Sequence, residues 1–119
     1  MKKINENQNL VEKAEELKSL VDDFTHTLPT DKINDLRYHL IGCLTNFPNN
    51  IERGLTTERK IDRIKSFIKA SGELNQCRDY LQLLSRMKIA HPDELIMEIE
   101  DFNATINNPE FIIKQHASA

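Results

Sequence analysis

Glycine is scarce in this chain, at three of 119 residues, and proline is little commoner at four; aromatic side chains make up only 6%. A fold of many short strands needs turn formers roughly every 8–12 residues, so this scarcity excludes it and favours a few long elements. Three glycines also leave no material for a phosphate-cradling loop, and no G-x-S-x-G nucleophile turn is present. The two cysteines, Cys43 and Cys77, have no C-x-x-C spacing. They read as reduced, buried, small apolar groups. No apolar run approaches the roughly 20 residues needed to span a bilayer. The start, Met1-Lys2-Lys3-Ile4-Asn5-Glu6-Asn7, has no apolar core of a secretory signal, so a cytoplasmic protein is expected. With a net charge of −3 and a pI of about 5.8, the chain also lacks the overall basic character of a nucleic-acid binder.

What is present is helical periodicity. Charged residues at 29% and hydrophobic residues at 39% place the chain among globular proteins, with one domain over 1–119. In 7–27, Leu10, Ala14, Leu17, Val21, Phe24 and Leu28 recur at spacings of three and four, which is one stripe of a helix. Leu28-Pro29 ends it. Thr30-Asp31 is a candidate cap for 31–53, where Ile33, Leu36, Leu40, Leu44, Phe47 and Ile51 continue the pattern, widened by Ile41 and Cys43. Pro48 inside this run removes a backbone donor and predicts a kink rather than a stop, because the period resumes at Ile51. Gly54 supplies a C-terminal signal.

Thr56 or Thr57 is expected to cap a third helix over 57–86. It carries two apolar stripes, Ile61, Ile64 and Ile68 on one side and Phe67, Ala70, Leu74, Cys77, Leu81 and Leu84 on another. Two stripes predict more than one neighbour, and Gly72 reads as a point of close helix approach. His91-Pro92-Asp93-Glu94 opens a fourth helix over 93–107, with Leu95, Ile99, Phe102 and Ile106 inward. Asn107-Asn108-Pro109 stops it, leaving a tail over 108–119 with an apolar patch at Phe111, Ile112 and Ile113. Four amphipathic helices on short connections predict an all-α, antiparallel up-down-up-down bundle.

A bundle invites a test for a di-metal carboxylate centre, which needs inward carboxylates and two Glu-x-x-His pairs. In the nearest match, Asp23-Phe24-Thr25-His26, neither Asp23 nor His26 lies on the apolar stripe, and no second copy exists. His39, one turn after Asp35, reads as a surface pair. No catalytic, cofactor or metal site is therefore expected. One charged feature stands out: Arg53, Arg59, Lys60, Arg63, Lys65 and Lys69, against Glu58 and Asp62, make a net +4. This set reads as a candidate nucleic-acid contact or as a solvated face balanced by the acidic first helix.

The segment Asn46-Phe47-Pro48-Asn49-Asn50-Ile51-Glu52-Arg53-Gly54, with Asp35-Leu36 and Leu40 before it, resembles a known motif. The four-helix-bundle family encoded by intervening sequences in bacterial 23S ribosomal RNA genes carries the hallmark Ser-Ile-Pro-Ala-Asn-Ile-Ala-Glu-Gly. Pro48, Asn50, Ile51 and Gly54 match it in spacing. Ala70-Ser71-Gly72-Glu73-Leu74 is similar to that family's Ala-x-Gly-Ser-Leu. The resemblance spans roughly Leu10 to Asn107. It implies a non-enzymatic homo-oligomer, a homopentamer by analogy with known members. It also implies kinship with the accessory variability protein of diversity-generating retroelements, which binds nucleic acid through basic surfaces. The chain departs from the pattern where the family has an Arg pair (here Ile41 and Gly42), at Arg53 in place of an acid, and at Gln76 in place of a Glu.

Overall fold

Periodic apolar stripes form helices that bury them, and the computed structural model, which describes residues 6–108 (side chains from Leu10 onward, 30–33 excepted), contains four: α1 Glu6–His26, α2 Thr30–Thr56, α3 Lys60–Arg86 and α4 Asp93–Ile106. No strand occurs among the described residues. The helices meet in chain order, α1 on α2, α2 on α3 and α3 on α4, with a smaller contact between α1 and α4 closing the set. The α2–α3 seam is the most extensive. At about 1.5 Å per residue, α2 and α3 are each about 40 Å long, whereas α4 is about half that. The molecule measures 47 × 34 × 19 Å, so its thinnest dimension is only two helices deep.

The core is built from the expected stripes. Leu10, Ala14, Leu17, Val21 and Leu28 come from the first, and Leu40, Cys43, Leu44, Phe47 and Ile51 from α2. Phe67, Ala70, Leu74, Cys77, Leu81 and Leu84 come from α3, and Ile99, Phe102 and Ile106 from α4. Phe24, Leu36 and Leu95 pack at its edge. At the centre, Phe47 meets Phe102 edge to face, with ring centroids 5.8 Å apart, the arrangement that sets a positive ring edge on a negative face. Ile41 departs from expectation. It is 46% exposed, because it sits about 100° round the helix from fully buried Leu40.

Helix ends differ from the sequence reading in instructive ways. α2 does not stop at Gly54 but continues to Thr56, whose Oγ1 donates back to the Glu52 carbonyl at 2.9 Å. Thr56 therefore closes α2 and does not cap α3. The position before α2 is Pro29 and that before α3 is Arg59, and neither makes a side-chain cap hydrogen bond. The side chains of the expected cap Thr30-Asp31 lie outside the described ones. α2 runs through Pro48 as one helix. α4 begins at Asp93 with Pro92 just outside it, and the Ile96 amide donates to the Pro92 carbonyl at 3.0 Å. α3 ends in a Schellman turn. Lys88 takes a left-handed φ of 58°, Ile89 N–H donates to the Leu84 carbonyl at 3.1 Å and Lys88 N–H to the Ser85 carbonyl at 3.0 Å. Ile33 and the apolar tail patch at Phe111, Ile112 and Ile113 lie outside the described side chains.

Candidate interaction site

The residues singled out by the motif lie along α2 on its inner side. Pro48, Asn50, Ile51 and Gly54 are all buried. Gly54 is a point of close contact between α2 and an α3 side chain. A Cβ there would sit 2.9 Å from both Cε1 and Cζ of Phe67, itself 2% exposed. Gly72 is the reverse of its expected role. It is exposed, and a Cβ there would meet nothing within 4 Å.

The α2–α3 seam is pinned by two cross-helix pairs. The Cys43 thiol donates to Gln76 Oε1 at 3.3 Å, and His39 stacks on Tyr80 with centroids 5.4 Å apart. His39 therefore pairs with an aromatic ring across the seam, and among the described residues no ion pair joins it to Asp35. Asp23 and His26 are exposed, and the His26 ring bonds the Asp22 carbonyl at 2.8 Å within its own helix.

Both thiols are buried and free. Burial, with the nearby Glu73 carboxylate adding to it, raises Cys43 from the ordinary 9.0 to about 11; burial, reinforced by Cys43, raises Cys77 to about 12. Because the fold holds both as neutral thiols, their stabilising contribution is complete below pH 9 and is lost as pH rises toward 11–12. Two outcomes are expected. Labelling by a soluble thiol reagent near pH 8 should be about 100-fold slower in native than in denatured protein. The urea midpoint should fall further between pH 8 and pH 10.5 in the parent than in a Cys43→Ala/Cys77→Ala variant. Equal losses in the two proteins would refute the assignment.

The basic set does not form one face. Arg63 is 5% exposed, and its Nε donates to the Thr57 carbonyl, tying the α2–α3 link to the first turn of α3. Its side chain is turned into the fold. Arg53, Arg59, Lys60, Lys65 and Lys69 are exposed. Nine residues at about 100° each place Lys60 and Lys69 on opposite sides of α3. Arg59 lies 3.8 Å from Asp62.

What does form a face is apolar. Ile61 and Ile68 are 55% and 62% exposed, and Ile64 is half-buried beside them. Ile61 stands nine residues from Ala70, and Ile68 nine from Cys77, so this stripe lies diametrically opposite the buried one. α4 does not reach it. The last turn of α4 meets α3 at Ser71 and Asn75, through a polar cluster that sequence reasoning missed. Ser71 Oγ donates to Asn103 Oδ1 at 2.7 Å, Asn103 Nδ2 donates to Asn75 Oδ1 at 2.8 Å, and Asn107 Nδ2 donates to Ser71 Oγ at 3.1 Å. The only available signal was the i, i+4 recurrence of small polar residues on each helix.

A second surface lies between α1 and α4, whose contact is small. An open groove of about 370 Å³ runs between them. Leu10, Leu17 and Phe102 line its floor and Leu20, 44% exposed, its rim. Glu16, Glu98 and Asp101 outnumber Lys13 along its edges. Among the described residues no three His, Cys, Asp or Glu side chains are grouped to hold a metal, and no helix is long and apolar enough to cross a membrane. Set against family models, characterised proteins and solved structures, the chain matches none of them.

Proposed function

We propose that this protein is a non-enzymatic, self-associating helical-bundle module that acts through its assembled form in the cytoplasm. The observation that carries this reading is the Ile61–Ile68 stripe, a second apolar face on α3 set opposite the core and uncovered by any described element. Large apolar side chains grouped on one face of a helix, with charge beside them, are the composition of a helix–helix interface. The resemblance to the 23S intervening-sequence family supports the same reading and suggests five subunits. In that reading the helices run up-down-up-down. The links 27–29 and 57–59 support this, since three residues span at most about 11 Å and cannot return the chain along a helix of about 40 Å. Pro48 bends α2 where its missing N–H leaves a carbonyl one turn earlier without its usual donor.

Native mass spectrometry with light scattering across micromolar concentrations tests it. A single species of several subunits, five on the family analogy, is expected. A strict monomer throughout would end the proposal. The alternative of a nucleic-acid accessory protein has less support, because the burial of Arg63 and the spread of the remaining cations leave no continuous basic face.

A further inference from the structure

The apolar stripe and the open groove are complementary in shape and in charge. The stripe is a ridge in which Lys65 lies between Ile61 and Ile68, with Lys69 on its flank; all four are exposed. The groove is a concave apolar floor with an excess of carboxylates along its edges. Lys65, Lys69, Glu16, Glu98 and Asp101 form no ion pair with one another or with any other described residue. The two surfaces belong to different helices of one bundle, and the ridge points directly away from the core its own helix helps to build.

We infer that the α3 ridge of one copy seats in the α1–α4 groove of a second copy. Ile61 and Ile68 lie against Leu10, Leu17 and Phe102, and Lys65 and Lys69 face Glu16, Glu98 and Asp101. This rests on the self-association proposed above and names the surfaces that carry it. The second copy is favoured over an unrelated partner because both halves of the interface are on the one chain and their charges are opposite in sign. Because ridge and groove are different patches, the contact is heterologous. Each copy offers one of each, and the chain of subunits closes into a ring or continues as a filament.

The test uses two variants of the full chain, each losing one half. Ile61→Asp/Ile68→Asp removes the ridge and keeps the groove; Glu98→Lys/Asp101→Lys does the opposite. All four positions are exposed, so helical circular dichroism should be unchanged. Each variant alone is expected to be monomeric at concentrations where the parent assembles. An equimolar mixture should give a one-to-one heterodimer in native mass spectrometry, since one intact ridge and one intact groove remain. If the aspartates disturb folding, Lys65→Glu/Lys69→Glu replaces them, and combining it with the groove reversal in one chain should restore assembly.

If the parent assembles and both variants assemble as it does, the seat is elsewhere while self-association stands. If the variants are monomeric but their mixture gives no heterodimer, the contact is isologous and this pairing is wrong. If the parent is itself monomeric, self-association and this seat fail together. A parent monomer that assembles once shortened to end at Asn108 would assign the groove to the chain's own residues 109–119 and overturn the proposal.

Discussion

Replacing Phe47 with alanine is expected to destabilise the fold by about 3–5 kcal/mol. The ring is fully buried and meets Phe102 edge to face at 5.8 Å, at the point where α2 and α4 face each other across the core. Two terms add. One is the lost transfer of a benzyl group into an apolar interior. The other is the void left behind, because the surrounding core side chains are held by their own helices and cannot collapse fully onto it. Against a usual total of about 5–15 kcal/mol, this consumes a large share of the stability. It should appear as a fall in urea midpoint at unchanged slope and as a drop of about 10–20 °C in Tm. Phe47→Leu, which keeps most of the volume, should cost less than half as much. A midpoint within error of the parent for Phe47→Ala would mean that the ring does not occupy the core.

The second large effect is a reversal of sign between two glycines. Gly54→Ala is expected to destabilise by about 1–3 kcal/mol even though alanine favours helix by about 1 kcal/mol. The new methyl would lie 2.9 Å from two carbons of the Phe67 ring, and that ring is enclosed on its other sides. Gly72→Ala, where nothing lies within 4 Å, should instead raise stability by about 1 kcal/mol. Denaturation of both variants in one buffer decides the matter. Gly54→Ala combined with Phe67→Leu should cost less than the two changes made separately, because the smaller side chain makes room for the methyl. Stabilisation by Gly54→Ala would show that the helices do not approach closely there.

These two predictions mark where sequence reading succeeds and where it fails. Phe47 was legible as core because it sits in a run of apolar residues spaced by threes and fours, and a helix has few ways to dispose of such a run. The glycines were not. Gly54 reads like a terminator and Gly72 like a contact, but Gly54 is the contact and Gly72 lies exposed in the middle of α3. A glycine's local preference is the same in both settings, and only the position of Phe67 on another helix distinguishes them. Arg63 misled for a related reason. In sequence it stands among cations, but it lies on the inner side of α3, where it serves as a hydrogen-bond donor to the α2–α3 link.

The candidate site divides in the same way. The two stripes of α3 could be read directly, and they predicted two neighbours. That the second stripe is left bare depends on the length of α4, which ends beside Ser71 and never runs alongside Ile61. The groove between α1 and α4 had no sequence signature, since its floor and its acidic rim come from segments some 80 residues apart.

The residue pattern by itself determined four helices, their order and the apolar stripes available for burial, because burying an apolar stripe at a period of 3.6 is a local rule enforced by water. Tertiary packing alone decided which glycine is a contact, which arginine is structural and which apolar surface remains open. Those outcomes depend on distances between residues far apart in the chain, and no local preference encodes them.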